Sequence, residues 1–362
     1  MVLRHPLKFQ ENRVWRVYTG GWLLEQFLGK AHPREGHFPE YWIGSTILAR
    51  NPNHKQGLEG LSFVILPNGE RCNLKTLLEQ APTSILGEAH YRKYGTNPGI
   101  LIKLLDASVR LPIQVHPDKS LALKYFSWPF GKTEAWLVLT TKDINGDSPY
   151  ILLGFREGVS WKRFVTAVKE SNSSVLEQCL HRLVVQPGDV YLIKPGIPHA
   201  IGPGSLILEI QEPTDITIRA EKKIGDIVIS DDIAYQGLSL EQSLECYHFE
   251  PISIDTLLKR YKLRPKVIKE CPGQGREQWL ISYSDTPCFA LSSLQVTSYW
   301  EVEPQKTFHI MIVLQGKGFL IDKDLITVIQ KGECFLIPAY VPYRIETLKN
   351  NELIIVNCWP PL

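Results

Sequence analysis

The sequence predicts a mainly β protein: two barrel-like units of short strands with a small helical insertion. Three observations carry this expectation. Strand-like runs dominate after residue 99, Gly, Pro and polar turns bound each run, and one strand–turn–strand unit occurs twice. With 362 residues, 44% of them hydrophobic and 22% charged, the chain has a folded protein's composition and room for two or three modules.

The candidate strands are Ile100–Leu105, Pro112–Val115, Ala135–Leu139, Tyr150–Gly154, Arg182–Val185, Val190–Ile193, Leu206–Gln211 and Ile216–Arg219. A second β-rich block runs from Phe289 to Trp359 through FALSSLQVTSYW, FHIMIVLQGKGFLI, ITVIQKGECFLIP and ELIIVNCW. Helical spacing is clearest in Val159–Arg182, where Trp161, Phe164, Val165 and Val168 fall on one face. Shorter helices fit Leu74–Glu79, Leu121–Tyr125 and Leu238–Leu244. The Lys/Arg/Pro-rich stretch Leu257–Gln278 reads as a connection between two β units.

The repeat aligns VQPGDVYLIKPGIPHAI, Val185–Ile201, with IQKGECFLIPAYVPYRI, Ile329–Ile345. Gly188 meets Gly332, Tyr191 meets Phe335, Pro198 meets Pro342, and His199 becomes Tyr343. Looser matches pair LPIQVH with SSLQVT and EAWLVL with HIMIVL. They set Gln295, Thr297 and His309 against Gln114, His116 and Glu134.

Several function classes are disfavoured. Lys plus Arg number 40 against 38 Asp plus Glu, so no charge excess points to nucleic acid or an anionic membrane. No apolar run approaches the ~20 residues of a membrane span, and MVLRHPLKFQENRVW lacks a signal-peptide core. The 7 cysteines are odd in number, scattered and without CxxC, which predicts reduced thiols in a cytoplasm. Neither a GxGxxG fingerprint nor a Walker loop is found.

Polar residues at strand ends are the candidates for chemistry. In Gln114-Val115-His116 the alternation of a strand points Gln114 and His116 the same way, into a cleft or simply into the Pro117 turn. Lys132 and Glu134 share a face, and Glu134 leads into the apolar AWLVL. An acid there is costly to bury unless paired or bound to metal; a solvated Lys–Glu pair is the other reading. Pro195-Gly196-Ile197-Pro198-His199 delivers one His at a strand start, where a structural His would also serve. Taken together, Gln114, His116, Glu134 and His199 offer two imidazoles, one carboxylate and one amide oxygen. Such a set suits zinc first, with cobalt, manganese and iron as alternatives. In LEIQEPTDITIR, Glu209 and Gln211 share a polar face, and Arg219 follows Asp215 and Thr217. A permanent guanidinium there could steady an enediolate or a phosphate oxygen, or pair with Asp215.

QVHPDK, GKTEAW, PGIPHA and EIQEPTDITIR, in that order, resemble the motif series of type I mannose-6-phosphate isomerases, most strongly over residues 100–225. The resemblance implies two cupin-like (jelly-roll) β-barrels. It makes Gln114, His116, Glu134 and His199 ligands of one Zn2+, and Arg219 the catalytic arginine. Lys132, Glu209 and Asp215 match acid/base or hydrogen-bonding positions. The implied division is a metal-binding catalytic unit over 1–250 with its helical segment near 155–182, a connection over 251–280, and a cupin-like unit over 281–362. The implied reaction interconverts mannose 6-phosphate and fructose 6-phosphate through an enediol, with Lys132, Glu209, Asp215 or a metal-bound water as base. PEYWIGS, Pro39–Ser45, only partly echoes the family's Glu-Ser-Trp-Glu segment, keeping Glu40, Trp42 and Ser45. Ser108, Arg110, Lys119 and Lys132 are the phosphate candidates. A cupin oxygenase and a non-catalytic sugar-binding cupin are the rival readings.

Overall fold

A computed structural model describes residues 5–51, 57–224, 227–323, 325–348 and 351–362. The chain is mainly β. A seven-stranded sheet takes its centre from Glu134–Thr141, Ser205–Gln211 and Leu101–Asp106. It faces a five-stranded sheet that contains Tyr150–Phe155, His199–Ile201, Gln114–Val115 and Ile218–Arg219. A nine-stranded sheet contains Ala290–Val296, Leu353–Trp359, His309–Gln315 and Cys334–Ile337, and a four-stranded sheet covers one of its faces.

Side-chain alternation explains the stacking. Met311 and Val313 point to the four-stranded sheet, whereas Ile310 and Ile312 point the other way. There they meet Leu208, Ile210, Ile102 and Leu104 of the seven-stranded sheet. The two large sheets therefore share one core, and their strands are apolar on both faces. The inner face of the seven-stranded sheet sends Trp136, Val138 and Ile207 towards Ile151, Leu153 and Ile201.

The sequence-predicted strands all form, with ends shifted by a residue or two; Ile216–Arg219 contracts to Ile218–Arg219. The helix expected over Val159–Arg182 is two helices, Trp161–Lys169 and Ser173–Cys179, followed by the strand Leu180–Val184. Ser160 and Asn172 each cap a helix by accepting a main-chain N–H, and Ser171 between them has φ 53°. The polar run Ser171–Ser174 thus favours a fresh start over one continuous helix. Phe164, Val168 and Leu176 then seal the outer face of the five-stranded sheet.

The stretch 251–280 is ordered secondary structure built into both large sheets. It holds the helix Ile254–Tyr261, the strand Lys262–Leu263 beside Val190–Tyr191, and the hairpin Lys266–Cys271/Gly275–Ile281 at the edge of the nine-stranded sheet. Near the start of the chain, Leu7–Phe9 pairs with Cys334–Ile337, while Arg13–Val14 and Glu40–Ile43 extend the seven-stranded sheet.

The repeat is structural. Val190–Ile193 and Cys334–Ile337 occupy equivalent places, entered through Gly188 at φ 90° and Gly332 at φ 87°. In one copy Glu134 lies opposite Ile193, and in the other His309 lies opposite Ile337. The looser match for Gln114 is corrected. Gln114 lies opposite His199, and the residue opposite Tyr343 is Val302. Gln295 and Thr297 are exposed, with Gln295 donating to Glu352. Shared Gln-Val letters misled because Ala290–Val296 pairs with Leu353–Trp359, as Leu101–Asp106 pairs with Ser205–Gln211.

Candidate metal centre and active-site cavity

Strand register places the candidate residues in two rows. Across the five-stranded sheet His199, Gln114 and Arg219 are neighbours. Across the facing sheet Trp136, Glu209, Lys103 and Trp42 are neighbours. A cavity of about 860 Å³ is lined by Gln114, Lys132, Lys103, Glu209, Asp215 and Arg219, with Arg16, Tyr18 and Glu40 beside them.

His116, Glu134 and His199 converge at its base, all buried, with ligand atoms within 4.8 Å of one another. Each imidazole is oriented from behind. His116 Nδ1 lies 2.9 Å from the Ile216 carbonyl, and His199 Nδ1 lies 2.8 Å from that of Ile197. A carbonyl only accepts, so both Nδ1 atoms carry the proton and both Nε2 atoms present lone pairs. Those lone pairs sit 3.2 Å from the two Glu134 oxygens, and neither oxygen has a hydrogen-bond donor of acceptable geometry. Acceptors converging in this way repel one another unless cations lie among them; Lys132 serves the side of His116 and Glu134 Oε2 but not that of His199 and Glu134 Oε1, so the residues fit a divalent metal. Gln114 turns its amide nitrogen to His199 Nε2 at 3.4 Å, so the oxygen ligand expected of it requires the opposite amide orientation. Lys132 Nζ stands 3.0 Å from both His116 Nε2 and Glu134 Oε2. Burial, helped by the Lys132 charge, pushes His116 down to about 3, which keeps it a neutral donor of electrons. Burial alone would raise Glu134, but the Lys132 charge outweighs it and holds the carboxylate ionised.

The next shell is ionic. Arg16 reaches Glu40 at 2.9 Å and grips Asp215 at 3.0 and 3.3 Å. Glu40 also accepts from Tyr18 Oη and from Trp42 Nε1. The Trp42 ring lies under both Arg16 and Lys103, at 5.1 and 4.9 Å. Against the opposing effect of burial, Arg16 and Lys103 draw Glu40 down to about 2 and Asp215 lower still. Glu209 behaves differently. Burial and the neighbouring Glu134 charge raise it, Trp136 Nε1 donates to its Oε2, and its Oε1 has no hydrogen bond, with Lys103 Nζ at 3.4 Å. Arg219 bonds only main-chain carbonyls, those of Ile233 at 3.1 Å and Thr217 at 3.5 Å.

Every sequence-predicted site residue therefore lies in or under this cavity, Asp215 in the grip of Arg16. Three of the phosphate candidates lie outside the cavity lining. Arg110 is locked to buried Glu221 at 2.7 and 2.8 Å, Ser108 pairs with Thr19, and Lys119 is exposed. Arg16, Tyr18 and Lys103 were not foreseen. Lys103 had a readable signal, since a lysine inside ILIKLLD requires a buried acid.

Fold and site together define a β-sheet protein with a buried His–Glu–His candidate centre for a divalent metal at the foot of a charged cavity. Its relatives are mannose-6-phosphate isomerases. The enzyme of that name from Bacillus subtilis is 26% identical over 314 residues, spanning 83% of this chain and 90% of its own. The one from Streptococcus mutans is 26% identical over 341 residues, spanning 93% of each. Among solved structures, the mannose 6-phosphate isomerase from Bacillus subtilis shares the fold at TM-score 0.70 and 21% identity, covering 97% of this chain and 99% of that one. A variant of the Salmonella typhimurium phosphomannose isomerase does so at TM-score 0.71 and 17% identity, covering 99% and 100%. No protein-family model matches the chain.

Proposed function

We propose that the protein interconverts mannose 6-phosphate and fructose 6-phosphate through an enediol, with a divalent ion, zinc in first place, held by Gln114, His116, Glu134 and His199. The observation that carries this reading is the convergence of two imidazole nitrogens on the buried Glu134 carboxylate beneath a cavity lined by Glu209 and Arg219. The names of the relatives supply the substrate.

When bound, the ion polarises sugar oxygens and lowers the cost of negative charge on them. The chain's own groups do the rest. Glu209 is the best-placed base: Trp136 fixes one oxygen, and the other, with Lys103 at 3.4 Å but no hydrogen bond, takes the proton from C2 and returns it to C1. Asp215, clamped by Arg16, is a weaker base and acts in positioning. Arg219, without a carboxylate partner among the described residues, stabilises the oxyanion as it develops. The cations Arg16, Lys103, Lys132 and Arg219 balance Glu40, Glu134, Glu209 and Asp215. A divalent ion then leaves the site two charges positive, which suits a phosphate dianion.

The wider reading is of two cupin-like barrels divided near residues 251–280, the second relieved of metal binding. In its support, His309 Nε2 meets Tyr343 Oη at 2.9 Å where the first copy has Glu134 and His199. The seven free thiols support a reducing cytoplasm. Among the described residues no helix is long and apolar enough to cross a membrane.

The test is conversion of mannose 6-phosphate to fructose 6-phosphate by metal-loaded protein, with turnover lost on chelation and restored by zinc. Confirmed metal at the four ligands with no conversion in either direction overturns the proposal.

A further inference from the structure

The phosphate of a hexose 6-phosphate hangs from C6, four carbons beyond C2. With C1 and C2 at the buried metal ligands, it is received towards the rim of the cavity. The rim offers Arg50, an exposed residue of the N-terminal segment that departs most from the family pattern.

Its placement is specific. The Arg50 main-chain N–H donates to Asp215 Oδ2 at 2.9 Å, so the carboxylate clamped by Arg16 also fixes where this residue begins. Arg50 lines the cavity, and its Nη1 donates to Gln236 Oε1 at 3.2 Å. Gln236 ends the short helix Asp231–Tyr235, and Arg219 donates to the carbonyl of Ile233 in that same helix. Two guanidinium groups on one cavity thus meet one small element. Neither pairs with a carboxylate among the described residues, although Asp232 lines the same wall. The other arginine of the cavity, Arg16, is saturated by Glu40 and Asp215. A guanidinium held by one neutral amide keeps most of its five donors for an anion, and the planar fork matches phosphate oxygens.

We propose that Arg50 binds the substrate phosphate and so selects phosphorylated sugars, while Arg219 faces the reacting carbons. This deepens the isomerase reading and rests on it for the sugar, though not for the anion. Arg50 acts in binding, away from the reacting carbons, so its loss weakens substrate and transition state alike.

The experiment compares wild type with Arg50→Ala and Arg50→Gln. Steady-state kinetics with mannose 6-phosphate are measured beside calorimetric titration with inorganic phosphate. The Gln variant keeps a polar side chain and removes the charge. Both variants are expected to raise KM roughly ten- to hundredfold, the range for losing a charge-assisted hydrogen bond, with kcat changed less than about threefold. Phosphate affinity should fall in parallel while the melting temperature stays near wild type. Phosphate affinity and KM like wild type in the Gln variant overturn the proposal, as does wild-type protein that gives no phosphate binding. Wild type that binds phosphate through Arg50 and does not isomerise would instead sink the isomerase reading alone.

Discussion

Arg219 and Arg16 carry the same charge into the same cavity under opposite constraints. Arg219 is held only by carbonyl groups, so its charge remains available. Arg219→Ala should lower kcat on the order of 10²–10³-fold, by analogy with loss of an oxyanion-hole donor, while metal content and melting temperature hold. Full activity in that variant would remove Arg219 from the mechanism. Arg16 is consumed in structure. It keeps Glu40 near 2 and Asp215 lower, against the burial that would raise both. Carboxylates with depressed folded-state pKa values contribute stability that is complete above the unfolded values near 4 and is lost as pH falls towards 2. Thermal melts should therefore be flat from pH 7 to 5 and drop steeply below about 4. Arg16→Met should leave these two buried acids with Lys103 as their remaining cation, costing a few kcal/mol at pH 7 and flattening that acid limb. An unchanged acid limb in Arg16→Met would count against the network. The candidate cluster of His116, Glu134 and His199 was legible because each sits in a short motif at a strand end. Arg16 was not, since its role depends on Arg13–Val14 lying beside Glu40–Ile43, a register no local pattern encodes.

At the scale of elements, the strand Ser205–Gln211 carries Glu209 and begins just after Gly204. Gly204 has φ 86°, and a Cβ there would run into the Lys142 carbonyl oxygen. Gly204→Ala should cost roughly 2–4 kcal/mol and lower the melting temperature by several degrees, with metal ligands intact. A melting temperature within a degree of wild type would show that the turn can relax. Long strands bounded by Gly and Pro were readable from alternation, and so was the repeated turn. The strands of two or three residues near the chain start were not. Leu7–Phe9 and Phe63–Ile65 are defined by pairing with each other and with Cys334–Ile337, and their own side chains say little. Helices such as Glu88–Tyr94 are too short to show a period.

Taken whole, the molecule is one core between two large sheets, with both ends of the chain engaged. Leu7 and Phe9 are buried in that core, and the terminal Leu362 carbonyl accepts from Lys93 and Tyr94. Deleting residues 1–12 leaves every charged cavity residue in place and removes two buried side chains worth roughly 3–6 kcal/mol together. Hydrogen exchange should then quicken at Cys334–Ile337, the strand that lost its neighbour, before it quickens at Gln114–His116. Equal protection at both would mean that the N-terminal strand is dispensable. The same strand also sets an order in time. A chain emerging from the ribosome makes Leu7–Phe9 almost first and its partner Cys334–Ile337 almost last, whereas every strand of the seven- and five-stranded sheets has been made once Leu263 emerges. The seven- and five-stranded sheets can therefore assemble during synthesis while Leu7–Phe9, joined on one side to Phe63–Ile65, keeps its other edge open until Cys334–Ile337 is made. That interval is when the nascent protein most needs a chaperone.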